Sequence, residues 1–476
     1  MTFRTAFVIA ATLMLGGCMV GPNYTKPPVP ISPAFKEGPP ATFKEGDGWK
    51  TATPNDQVLR GDWWTMFGDP QLNALETQVD TANQTLKAAE ANYRAARSAI
   101  MFSRAQLKPT IGTESGIAAV HQTVGKTTNG QMVETGPGSI SLPIEFGWEL
   151  DLWGRLRRGV TSAREQAQAS AADLENARLS LHAELAIDYF ELRSADAQTK
   201  LLNETIEAYT QALQLTQDRF EGGAAPQSDM TQARTQLDTA RVQQTDVGVM
   251  RAQYEHAIAI LTGKPPADLT LTPAPVNAAI PDIPGAVPSQ LLERRPDIAA
   301  EERRMAAANE QIGIAKAAYY PVVSLNALGG AAGGFWPGAL WAVGPTLSQT
   351  LFDGGRRRAT SQIALENYDA AVADYRQTAL TAFQQVEDNL AALRILETET
   401  QQQRDATASA QQSLDLFQIR YEGGVDTYLQ VVTWQTAALL NERAEIDLIR
   451  RRLDASVLLI KALGGGWDSS RLAALK

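Results

Sequence analysis

Arg219-Phe220-Glu221-Gly222-Gly223 returns 201 residues later as Arg420-Tyr421-Glu422-Gly423-Gly424, and that return decides the fold. At the same offset Leu213 pairs with Leu414, and Leu150, Gly154, Arg155 and Arg157 pair with Leu351, Gly355, Arg356 and Arg358. Upstream the offset is 212, matching Ala88, Glu90, Ala95, Ala96 and Ile100 with Ala300, Glu302, Ala307, Ala308 and Ile312. The 476-residue chain is therefore a tandem duplication whose unit, about 200 residues, is far longer than a solenoid repeat. The second copy has the shorter outer loop.

Working outward, each Gly-Gly closes a very long helical stretch, expected over 156–220 and 357–421. Some 65 residues at about 1.5 Å each give a rod of roughly 98 Å. Spacing of four, three and four recurs in Tyr209, Leu213, Thr216 and Phe220 and in Ala410, Leu414, Phe417 and Tyr421, which reads as a coiled-coil seam weakened by Thr216. Past each Gly-Gly tip the chain reverses into a shorter helix, expected over 228–261 and 427–463. Asp69 and Pro70 suit the N-cap and first turn of another helix, expected over 71–107 as one piece. Its length and that of 228–261 together match one long helix, so each pair of short helices is expected to stack end to end beside a long one.

Before each long helix the period changes to two. Ile140, Leu142, Ile144, Phe146, Trp148, Leu150 and Leu152 alternate with largely polar neighbours, including Glu145, Glu149 and Asp151. That is a strand signal, and 110–153 is expected to form one hairpin with a loop over 125–138. In the second copy, 321–353 is expected to form another. There Val323, Leu325 and Ala327 share one face, Gly329 to Gly338 turns the chain, and Trp341, Val343, Leu347 and Leu351 share the returning face. Four strands with one apolar face and one polar face fit a barrel between lipid and water. Four alone would leave unpaired edges in a bilayer, so oligomerisation is required.

The N-terminus reads as a bacterial lipoprotein signal over residues 1–17. Arg4 supplies the positive charge, Phe7 to Leu15 a short apolar run, and Leu15-Gly16-Gly17-Cys18 the cleavage site. Cys18, the one cysteine of the chain, is the expected acylated first residue, and 18–61 the Pro- and Gly-rich strap behind it. The first repeat then occupies 62–264, a Pro-rich connector 265–288, the second repeat 289–463 and a tail 464–476.

A net charge of −10 disfavours a nucleic-acid partner. His121, His182 and His256 lie in separate elements, and no metal-spaced cluster, nucleophile elbow or phosphate loop accompanies them, so neither catalysis nor a cofactor is expected. Arg155, Arg157 and Arg158, with Arg356, Arg357 and Arg358, lie where strand becomes helix and suit either anionic headgroups or neighbouring carboxylates.

Four motifs carry a family resemblance: Gly17-Cys18 with Gly21-Pro22-Asn23-Tyr24; Asp62-Trp63-Trp64 with Phe67 and Asp69-Pro70; Trp148-Glu149-Leu150-Asp151-Leu152-Trp153-Gly154-Arg155; and Leu291-Leu292-Glu293-Arg294-Arg295-Pro296-Asp297-Ile298. Together the chain resembles the TolC-like outer-membrane efflux factors, in particular their OprM/NodT-type lipoprotein branch. The resemblance implies a mixed α and β membrane protein, mostly α, and a homotrimer with a twelve-stranded barrel in the outer membrane of a Gram-negative bacterium. A helical periplasmic tunnel would continue it, with a periplasmic adaptor and an inner-membrane pump, of the RND type, as partners. It further implies adaptor docking at the tips, through Arg219, Gly222 and Gly223 and through Arg420, Gly423 and Gly424. Asp426 and Leu429 are implied as a periplasmic gate, although Thr433 stands where relatives often carry a second carboxylate. The competing reading is a non-conducting coiled-coil lipoprotein or adhesin.

Overall fold

A computed structural model describes residues 19–30, 35–37, 62–118, 122–124, 133–135, 139–276, 280–281, 294–333 and 338–467. Helices α1 (Pro70–Ala82), α2 (Gln84–Ala105), α3 (Arg155–Glu221) and α4 (Gln227–Leu261) belong to the first repeat, and α5 (Pro296–Ala317), α6 (Arg356–Glu422) and α7 (Tyr428–Ala462) to the second. Both α3 and α6 run 67 residues, about 100 Å. The chain divides into two compact units, each drawing on both copies. One comprises Met1–Pro28, Asn92–Ala171 and Ala300–Arg376, the other Val29–Ala91, Ala172–Ala299 and Gln377–Lys476.

The first unit holds the sheet. Strands β1 (Thr110–Gly112) and β2 (Gly116–Ala118) pair in succession with β5 (Ser139–Leu150), which pairs with β6 (Val322–Gly333), which pairs with β7 (Gly338–Ser348), all antiparallel. β1 and β2 are thus two segments of one strand, and the sheet is four strands wide. A separate ladder joins β3 (Gln122–Val124) to β4 (Val133–Thr135), so part of the expected loop is paired strand and the rest lies outside the described residues.

Register puts the apolar residues of three strands on one face. Ile144 lies level with Gly329 and Trp341, Phe146 with Ala327 and Val343, and Leu150 with Val323 and Leu347. This face is open: Trp341 is 80% exposed and Ile144 62%. β6 runs further than expected, because Gly329 to Gly333, expected in the turn, continue it. Gly330 permits this, since a Cβ there would stand 2.2 Å from the Leu142 carbonyl oxygen of β5. Leu351 lies past the end of β7 and not on its face. Among the described residues no helix is long and apolar enough to cross a membrane.

The second unit is helical. Its aromatic turn is a 3-10 helix over Trp63–Phe67, with Trp63 and Phe67 almost wholly buried. Asp69 caps α1 by accepting from the backbone N–H groups of Gln71 and Leu72, and its other oxygen accepts from the Tyr189 hydroxyl at 2.7 Å. The single helix expected over 71–107 is broken at Asn83, which is extended. Its carbonyl oxygen accepts from the N–H of Leu86, starting α2, while its amide donates to the Leu261 carbonyl at the end of α4. One buried side chain therefore satisfies two helix ends.

The seam packs as its spacing predicts except at Phe220, which is 40% exposed. Tyr209 clusters with Leu237 and Ala240 of α4, and Tyr421 with Ala233, Tyr428 and Val431. Thr216 is fully buried, and its hydroxyl donates to the carbonyls of Ala212 and Leu213, which removes the cost of burying it.

Trp64 stacks on His182 at 4.3 Å between centroids. Nδ1 of that histidine meets Glu76 at 2.6 Å and Nε2 meets Asp80 at 3.4 Å. A neutral ring has one N–H and cannot satisfy both carboxylates, so the geometry favours imidazolium. Burial alone would lower the His182 pKa, but the bonds to Asp80 and Glu76 outweigh it and push it up to about 9. Burial also raises Glu76, to about 7, against the opposing pull of His182. Both folded-state values exceed the ordinary ones, so both contributions are complete at low pH and are lost as pH rises through about 7 and about 9. Between pH 6 and 9.5 the wild-type protein is expected to lose on the order of 2 kcal/mol more stability than the Glu76→Gln/His182→Gln double variant. Thermal unfolding across that range checks this, and parallel curves would refute it.

Candidate functional site

Two regions carry most of the residues singled out from sequence, the helix tips and the strand–helix junction, while Cys18 lies outside the described residues. At the tips both long helices end in the same backbone device. Gly223 (φ +72°) and Gly424 (φ +75°) occupy the left-handed region. The N–H groups of Ala224 and Val425 donate back to the carbonyls of Arg219 and Arg420. The second glycine of each pair is thus the one the turn requires. Gly223→Ala and Gly424→Ala should each cost about 1 kcal/mol of local stability, and Gly222→Ala and Gly423→Ala less. Hydrogen exchange at the tip amides would register the difference.

The repeated arginines differ in what they do. Arg219 does not serve its own helix end: its Nη1 donates to the carbonyls of Tyr421 and Glu422, each at 3.1 Å, and its guanidinium lies 4.7 Å from the Tyr421 ring centre. It therefore caps the other long helix and ties the two tips together. Arg420 instead pairs with Asp426 of its own turn. Asp426 is not the N-cap of α7; Thr427 holds that position. Leu429 is 54% exposed, and the Thr433 hydroxyl donates to its carbonyl at 2.9 Å.

At the junction most of the arginines have carboxylate partners. Arg155 meets Glu149 at 2.7 Å and Arg157 meets Asp151 at 3.1 Å, while Asp151 also accepts from the N–H groups of Leu156 and Arg157 and so starts α3. Arg357 pairs with Asp353 at the start of α6. Trp153 stacks on Tyr320 and donates to the carbonyl of Pro321 at 2.8 Å.

Sequence reasoning missed a cradle for the strap. Val20 donates its N–H to the Trp153 carbonyl, and its own carbonyl accepts from Nε of Arg158, whose Nη1 meets Glu310 at 2.8 Å. Arg158 is 1% exposed. Gly21 (φ +109°) passes so close to α5 that a Cβ there would stand 2.5 Å from Gly313 Cα. Lys26 pairs with Glu302 at 3.1 Å, and Tyr24 bonds the same carboxylate. The Gly21-Pro22-Asn23-Tyr24 motif was the available signal, but it names one side of the contact alone.

The sequence profile of the family described as "Outer membrane efflux protein" matches residues 77–264 and 287–465. The chain belongs to the outer membrane efflux protein family. This efflux protein is 33% identical over 473 residues to the toluene efflux pump outer membrane protein TtgF of Pseudomonas putida, covering 97% of this chain and 96% of that one. It is 31% identical to outer membrane protein OprJ of Pseudomonas aeruginosa, covering 98% of each. Among solved structures, the outer-membrane channel OprN superposes with a TM-score of 0.84 at 28% identity, covering 94% of this chain and all of that one. The efflux protein is thus an outer-membrane channel component of an efflux system, with the TolC-like protomer fold expected from its motifs.

Proposed function

We propose that this efflux protein assembles as a homotrimer, whose three four-stranded sheets close into a twelve-stranded barrel and whose helices line a periplasmic tunnel. The carrying observation is the sheet itself: an exposed apolar face that is level across three strands, bounded by two edges that have no partner among the described residues. A bilayer tolerates such edges only when further copies cover them.

In this reading the duct is passive. A periplasmic adaptor docks at the tips, where Arg219, Gly222 and Gly223 and the equivalent Arg420, Gly423 and Gly424 form paired turns, and an RND-type inner-membrane pump supplies the energy. Asp426 and Leu429 close the periplasmic entrance. The cargo is small and toxic, such as drugs or organic solvents, in line with the toluene named for TtgF. No catalytic step or cofactor is involved.

Cys18 carries the lipid anchor. Support comes from its neighbour: Met19 packs at Gly154, where a Cβ would stand 2.6 Å from the Met19 side chain, beside the aromatic pair at the foot of the strands. Cys18→Ser is expected to abolish incorporation of labelled palmitate into the mature chain, and unchanged labelling would remove the assignment. For conduction, purified protein is placed in a planar bilayer and its mass measured in neutral detergent. A trimer with discrete current steps is the expected result. A monomer, or no current from the wild type and gate variants alike, would favour a non-conducting spacer.

A further inference from the structure

The second unit contains a cavity of about 660 Å³, within the range of small-molecule sites and unused by the conduction reading. Its walls come from α3, α6, α7 and the connector after α4. Pro275, Ile446 and Ile449 supply apolar lining, while Lys200, Arg404 and Arg452 bring three cations to the same space. Asp196 also faces it, but that carboxylate is already held by Arg193 and Arg251, each at 2.7 Å, and by the backbone N–H of Ala274. Lys200 and Arg404 have loose partners, Glu204 at 3.9 Å and Glu445 at 3.4 Å.

Arg452 differs from both. Its Nε is buried and makes no hydrogen bond, and among the described residues it has no ion pair. Burial lowers the pKa of its guanidinium and the nearby charge of Arg404 lowers it further, with Glu397 pulling the other way. The guanidinium is only partly buried, but no acceptor meets it among the described residues, and an anion that brings its own oxygens would supply them at its terminal nitrogens. The neighbouring isoleucines and prolines offer nothing to a second polar group but would shelter a hydrocarbon tail.

We propose that this cavity binds a single-chain amphiphilic anion, its head on Arg452 and its tail against Ile446 and Ile449. The site shares no residue with the tips or the sheet, so it survives or fails independently of the conduction reading. Its chemistry suits either a free fatty acid or the anionic head of a lysophospholipid.

Full-length protein in a neutral maltoside detergent is titrated with 11-(dansylamino)undecanoate, and binding is read from dansyl fluorescence. Saturable binding is expected, weakened about tenfold or more by Arg452→Gln and less by Arg452→Lys. Ile449→Glu, which places a carboxylate in the wall, gives the same loss through a second position if Arg452→Gln fails to fold. Displacement by laurate supports the site with a free acid as ligand, and displacement by lysophosphatidylglycerol supports it with a lipid head. Equal displacement by methyl laurate, or wild-type binding in folded Arg452→Gln and Ile449→Glu proteins, overturns it.

Discussion

Replacing Asp426 and Leu429 together by Ala is expected to raise the single-channel current of the purified protein several-fold in a planar bilayer, with little change in stability. The two halves of that expectation have different causes. Leu429 is 54% exposed in the protomer, so its side chain contributes little to the fold of its own chain, and truncating it should cost under about 0.5 kcal/mol. An apolar ring at a constriction, by contrast, obstructs ions through dewetting, and shortening it admits water. Asp426 acts through Arg420, whose guanidinium it holds within the turn. Without the carboxylate the turn loses its brace and the arginine is released. Leu429→Ala alone should recover more than half of the gain. Thr433→Ala should recover none, because that hydroxyl is spent on the backbone of its own helix. If the double variant conducts as the wild type does, these residues do not gate.

Glu310→Ala carries the largest expected cost in stability, about 3–5 kcal/mol. Arg158 is 1% exposed and its Nη2 already lacks a hydrogen-bond partner. Removing Glu310 leaves the guanidinium a single acceptor, the Val20 carbonyl, in a space closed by Gly21 and Gly313. Glu310→Gln keeps the shape and one oxygen and should lose less. The predicted readout is early release of the strap: proteolysis near residues 19–26 should accelerate more than proteolysis at the tips. Equal acceleration at both places would mean that the pair supports the whole chain and has no special relation to the strap.

The duplication, the long helices and the strands were legible because each rests on a pattern that survives without tertiary context. A repeated Arg, aromatic, Glu, Gly, Gly locates two helix ends, and a period of two over Leu142 to Leu150 has no helical interpretation. What escaped is contact between distant positions. Asn83 looked like one more polar residue within a helix, because nothing local says that the Leu261 carbonyl needs a donor. Arg219 and Arg420 were equivalent by alignment, yet their surroundings differ: Ala225 stands where the second copy has Asp426. Arg219 therefore reaches the other tip, while Arg420 is taken by its neighbour. His182 stands alone in the sequence, yet Glu76 and Asp80, four apart on one face of α1, form a pair that its ring bridges.

The strap's cradle also sets an order of events during biogenesis. Asn309 donates to the carbonyl of Pro22 across 287 residues of sequence, and Glu310 follows directly. A nascent chain emerges from its N-terminus, so the strap is complete long before its binding partner has been synthesised. Seating of residues 20–26 therefore waits until α5 has been made, and an unfilled groove beside Gly313 marks a protomer whose maturation is unfinished.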